Sequence, residues 1–128
     1  MNIREYLAML EAALDGLHAH PSLILELIDL LKNTGRERQF LKLFVKRLDF
    51  LQTHGHDAVQ ISDNFERLDS RICSLHVDMK DKNIRVLYSI NREGTVLLLG
   101  FHERAGKSAT DYSQKIPEAT RRLRELEE

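Results

Sequence analysis

The chain has 128 residues, of which 42% are apolar, and its 19 basic and 20 acidic side chains give a formal net charge of -1. That length fits one globular domain with a real hydrophobic core, and the balanced charge removes any general attraction to nucleic acid or to a membrane surface. Cys73 is the only cysteine, which excludes an intrachain disulfide and a cysteine-rich zinc cage; with acidic residues early in MNIREYLAML and no apolar run near the ~20 residues of a membrane span, a soluble cytoplasmic protein is expected.

Ile3, Leu7, Leu10, Leu14 and Leu17 recur at steps of four and three, which predicts a helix with one apolar stripe ending near Gly16 or His18. The stripe packs on the protein's own core or on a second copy, so a homodimer through the N-terminal helix is one expectation. His20-Pro21 breaks this helix, because a residue before proline avoids the α region. PSLILELIDLLKNTG then opens with proline at a first helical position, closes at Gly35 and is apolar on most faces, so it should be well buried. In RERQFLKLFVKRLDFLQTHG the inner stripe is Phe40, Leu41, Phe44, Leu48 and Leu51, with Arg36, Lys42, Lys46 and Arg47 mostly outside.

HDAVQISDNFERLDS has the composition of a loop with one short turn. Beyond it the apolar period changes from 3.6 to 2. RICSLHVDM, NIRVLYSIN and TVLLLGFH read as three strands joined by local turns, an antiparallel meander. IPEATRRLRELEE predicts a short final helix starting near Pro117, with Ala119, Leu123 and Leu126 as a narrow apolar face. The expected architecture is α+β in a single domain over 1–128: helices within 1–54, a three-stranded antiparallel sheet within 71–103 and a C-terminal helix within 116–128.

Alternation assigns the strand residues to faces. Cys73, Leu75, Val77, Val86, Tyr88, Ile90, Leu97, Leu99 and Phe101 form the inner set. Ser74, His76, Asp78, Arg85, Leu87, Ser89, Val96, Leu98, Gly100 and His102 form the outer set, which brings His76, Arg85 and His102 together on an exposed face. Charge is distributed to match: residues 1–35 hold two basic and five acidic side chains, net -3, whereas residues 80–107 hold six basic and three acidic, net +3. Two imidazoles beside a guanidinium suit RNA cleavage. One histidine takes the 2'-hydroxyl proton, the other protonates the leaving 5'-oxygen, and Arg85 with Arg104 or Lys107 neutralises charge growing on phosphorus. An ordinary solvated sheet face has the same composition. HGHD offers His54, His56 and Asp57 as metal ligands, but a polar helix end is the commoner use, no fourth ligand is evident, and neither a metal nor a cofactor is expected.

From Gly55 onward the chain resembles the RelE/HigB-like toxins of type II toxin–antitoxin systems, in their phage-derived branch. The resemblance rests on FLQTHG, LDSRICSLHV, IRVLYSI and VLLLGFHERAGKS, and on the tail DYSQKIPEATRRLREL. It implies a RelE-like core and an endoribonuclease cleaving mRNA, on the ribosome, with catalytic Arg85, His76 and His102. Arg104, Lys107 and Tyr112 are the implied RNA-binding residues, and the implied partner is a cognate antitoxin, a helix-turn-helix protein, that covers the sheet face or displaces the C-terminal helix. The chain departs from the family pattern at His76, where arginine is usual, at Glu103, where lysine is frequent, and at the N-terminus, where helices replace an opening strand. The competing expectation is a non-catalytic phage or prophage protein-interaction module that keeps the same fold.

Overall fold

The computed structural model describes residues 1–128, the side chain of residue 108 excepted. Helix α1, Ile3–Leu14, begins at Asn2, whose side chain accepts from the Glu5 amide at 2.8 Å. Its buried line is Tyr6 and Leu10, with Ile3 left 45% exposed, so the expected stripe is rotated toward Tyr6. The Tyr6 hydroxyl explains why: it donates to the Leu27 carbonyl at 2.9 Å and ties α1 to helix α2, Pro21–Leu31. Between them His18–Ala19 forms a two-residue strand, β1. The His20 ring caps α2 by accepting from the Ser22 amide at 3.1 Å. Helix α3, Glu37–His54, buries Phe40, Leu41, Phe44, Leu48 and Leu51 as its periodicity requires.

A single 3-10 turn, Gly55–Asp57, and the one-turn helix α4, Ala58–Ile61, lead into strand β2, Phe65–Arg67. Three longer strands follow: β3, Cys73–Met79; β4, Lys82–Asn91; and β5, Gly94–His102. The sheet therefore has five strands rather than the expected three, in the order β1-β5-β4-β3-β2, with β1 parallel to β5 and the other pairs antiparallel. The two additions are two and three residues long, too short for alternation to register in sequence. NFER in particular lies inside a stretch that reads as a loop.

The helices α1, α2 and α3 cover one sheet face, burying Leu75, Val77, Ile84, Val86, Tyr88 and Leu97 with Leu23, Leu27, Phe40 and Phe44. The other face, expected to be open, is covered by helix α5, Ser108–Glu127. Leu87, Val96, Leu98, Leu99 and Phe101 pack there against Tyr112, Ala119 and Leu123. The helix is much longer than the expected 116–128. It runs through Pro117, which has no N–H to give the Ser113 carbonyl and is normally costly inside a helix.

One irregularity decides where the candidate side chains point. Leu87 pairs with Leu99 and Tyr88 with Leu97, so Leu98 is an extra residue on β5, a β-bulge. Parity reverses beyond it. Leu99 and Phe101 join the α5 face, while Gly100 turns to α2, where a Cβ would stand 3.1 Å from Leu27 Cδ2. The edge of β5 beyond its short pairing with β1 is satisfied by a largely buried ion pair. Arg122 donates to both carboxylate oxygens of Glu26 at 2.8 Å and to the Leu98 carbonyl at 3.0 Å, and Glu26 accepts from the Gly100 amide at 3.1 Å. That pair clamps α5 to α2 across the edge of β5.

Candidate functional site

Strand pairing sets His76 of β3 opposite Arg85 of β4, and both side chains lie on the α5 face with Ser74 and Phe101. The first turns of α5 lower Tyr112 onto this row. Its hydroxyl stands 3.1 Å from the Ser74 hydroxyl and 3.2 Å from His76 Nε2, and its ring meets Phe101 edge to face. His76 Nε2 is also 3.4 Å from Glu66 of β2. Three of the expected site residues, His76, Arg85 and Tyr112, are thus gathered in one patch.

His102 is not among them. It pairs with Ile84, whose side chain packs in the core under α2 and α3, so the bulge carries His102 to the opposite face. The expected pair of imidazoles flanking one guanidinium does not form. Arg85 also differs from expectation, being 5% exposed rather than open. Its Nη1 donates to Asp78 at 2.7 Å and to the Ile84 carbonyl at 3.2 Å, and its Nη2 donates to Glu103 at 3.0 Å. Burial works against its charge, but the hydrogen bonds it donates to Asp78 and Glu103, with their negative charges, outweigh that and hold its pKa above the ordinary arginine value. Its buried Nε has no partner among the described residues.

Arg104 lies at the rim, where its backbone N–H and Nε donate to Asp111 at 2.8 and 2.9 Å. This pairing holds the Asp111 carboxyl below the usual range. Lys107 is exposed at the start of α5. The carboxylates Glu66, Asp78, Glu103 and Asp111 were not legible as site residues; only Asp78 has a sequence signal, since it shares a face with His76 by alternation. HGHD does not converge, because His54 packs its ring on Phe50 with centroids 4.3 Å apart. Among the described residues no three His, Cys, Asp or Glu side chains are grouped to hold a metal ion.

The chemistry of the patch follows from its burial. Loss of solvent first, and the Arg85 charge second, depress the His76 pKa from 6.5 to about 4, so the ring is a neutral acceptor at neutral pH. Burial pushes the Tyr112 hydroxyl up to about 12 and keeps it protonated, able to orient the imidazole. Above about pH 6.5 His76 is neutral both folded and unfolded; below it the unfolded chain takes up a proton that the folded one refuses until about pH 4. Stability should therefore fall with acidification across that window, by about 3 kcal/mol for this group. Urea titrations of wild type and His76→Gln test this: the difference between them should shrink or reverse on going from neutral to acid pH, and parallel curves would refute it.

The chain matches no protein-family model, no curated protein and no solved structure. Among the described residues no helix is long and apolar enough to cross a membrane.

Proposed function

We propose that the chain is a RelE/HigB-like toxin of a type II toxin–antitoxin module, an endoribonuclease that cleaves mRNA on the ribosome at the His76–Tyr112–Arg85 patch. The observation that carries this reading is the neutral His76 imidazole, hydrogen-bonded to Tyr112 at the end of a sheet whose rim bears Arg104 and Lys107. The order of elements adds support, since β1 places a strand ahead of α2 and α3 and softens the departure at the N-terminus.

The roles differ from those expected. With the Tyr112 hydroxyl turned to donate to Ser74, His76 Nε2 accepts the 2'-hydroxyl proton, the 2'-oxygen attacks phosphorus, and the 5'-oxygen leaves with a proton from water. A phosphate arriving beside the imidazole raises its low pKa and makes the proton transfer more favourable. Arg104 and Lys107, at the surface, meet the phosphate. Arg85, enclosed by two carboxylates, acts through His76 and is a positioning residue. The cognate helix-turn-helix antitoxin would shield the rim of this patch.

A second reading is favoured by one specific observation. Asp78 and Glu103 already saturate two arms of Arg85, as a structural ion pair would, and this supports the non-catalytic protein-interaction module. Induced expression separates the two. A toxin stops growth and leaves cut mRNA, relieved by its antitoxin; an interaction module leaves both untouched.

A further inference from the structure

On the side of the molecule away from the candidate site, α1 and α3 flank an open trough of about 850 Å³. Its floor and walls are apolar, with Ala12, Ala13 and Met9 from α1 facing Leu41, Val45 and Leu48 from α3. Alanines on one wall leave depth for large incoming side chains. Met9 and Val45 are 45% and 40% exposed, so a substantial part of this lining is in water.

Charge around the trough is ordered. Arg38, Lys42 and Lys46 line one side. They follow one another at steps of four along α3, so the row extends ~12 Å, a little over two helical turns. All three are exposed, and none has an ion-pair partner among the described residues, as is true of most of the chain's basic side chains. Asp15 and Asp49 also line the trough, and they too lack partners among the described residues. A row of unpaired cations beside an apolar trench is complementary to an amphipathic helix with acidic residues along one flank.

We propose that this trough docks such a helix from a protein partner: large aliphatic residues at positions i, i+3, i+4 and i+7 enter between α1 and α3, and Glu or Asp at every fourth position on one flank meets Arg38, Lys42 and Lys46. A second copy packed by the same face is a poorer occupant, because the large apolar side chains that line this face in water are Met9 and Val45, too few to fill the trough. The inference is independent of RNA cleavage, since none of these residues belongs to the patch on the opposite side of the sheet.

Two synthetic helical peptides of about four turns, with the same leucine face and either glutamates or lysines on the flank, test it by fluorescence anisotropy on the full chain. The acidic peptide should bind at least about tenfold more tightly than the basic one and lose affinity as salt rises, because opposite charges attract through a screened field. Lys42→Glu with Lys46→Glu should reverse the preference, and Val45→Asp should weaken both peptides; these positions are exposed, and unchanged thermal melting verifies the fold. Failure of the acidic peptide to bind, or equal binding of both, overturns the proposal. So does a dimer in sedimentation that Val45→Asp dissociates, which would give the trough to a second copy.

Discussion

Replacing Arg85 with alanine should destabilise the protein by about 3–5 kcal/mol, the usual cost of removing one partner from a buried ion pair. Alternation alone suggests a harmless change, since Arg85 points away from the Val86 and Tyr88 core. The structure reverses that expectation. Arg85 sits beneath α5, 5% exposed, with Asp78 and Glu103 on its guanidinium. The Asp78 side chain is 55% exposed and loses little when its partner goes, whereas that of Glu103 is 17% exposed and carries most of the penalty. Glu103→Gln in the Arg85→Ala background should consequently recover part of the loss, and a double-mutant cycle in urea measures it. A single-mutant loss below about 1 kcal/mol, in the range of exposed pairs, would contradict the buried placement. It follows that loss of function in Arg85→Ala is uninterpretable without a stability measurement.

The largest effect on activity belongs to His76. His76→Gln should lower the rate of RNA cleavage by a factor of about 100 to 10,000, the range that a positioned proton acceptor supplies. Glutamine keeps a polar group near Tyr112 and Glu66 and introduces no charge that burial would penalise, so the fold should survive at neutral pH. His102→Gln, with its side chain turned to the α2 face at the end of β5 beside Arg104 and Asp111, should cost less than about tenfold, because it can tune the rim but takes no proton in the proposed step. Equal rates for wild type and His76→Gln would remove His76 from the reaction, and a large loss in His102→Gln would refute the separation of the two histidines.

Much of the architecture was legible because long elements repeat their apolar period several times. The stripes of α2 and α3 and the alternation of β3 and β4 each leave an unambiguous face, and they place His76 and Arg85 side by side. What was not legible came from single-residue events and from tertiary contacts. One inserted residue, Leu98, flips everything after it on β5, and in a run of VLLL no polar side chain marks the slip. The strands β1 and β2 exist only because β5 and β3 offer them partners. The reach of α5 across the second face depends on a helix tolerating Pro117, and on Arg122, which reads as an ordinary charged-face residue, finding Glu26. Burial of Arg85 follows from that coverage, which is why its carboxylate partners escaped a reading based on alternation.

The most direct test of the central claim is the chemistry of the cut itself. Purified wild-type protein would be added to ribosomes carrying a defined mRNA, and the new ends identified alongside the same message bearing a 2'-deoxy substitution at the cleaved position. Proton abstraction from the 2'-hydroxyl by His76 requires a 2',3'-cyclic phosphate and a 5'-hydroxyl end, and requires the deoxy message to stay intact. Intact RNA in every reaction, with and without ribosomes, or cleavage that persists in the deoxy message, would contradict it.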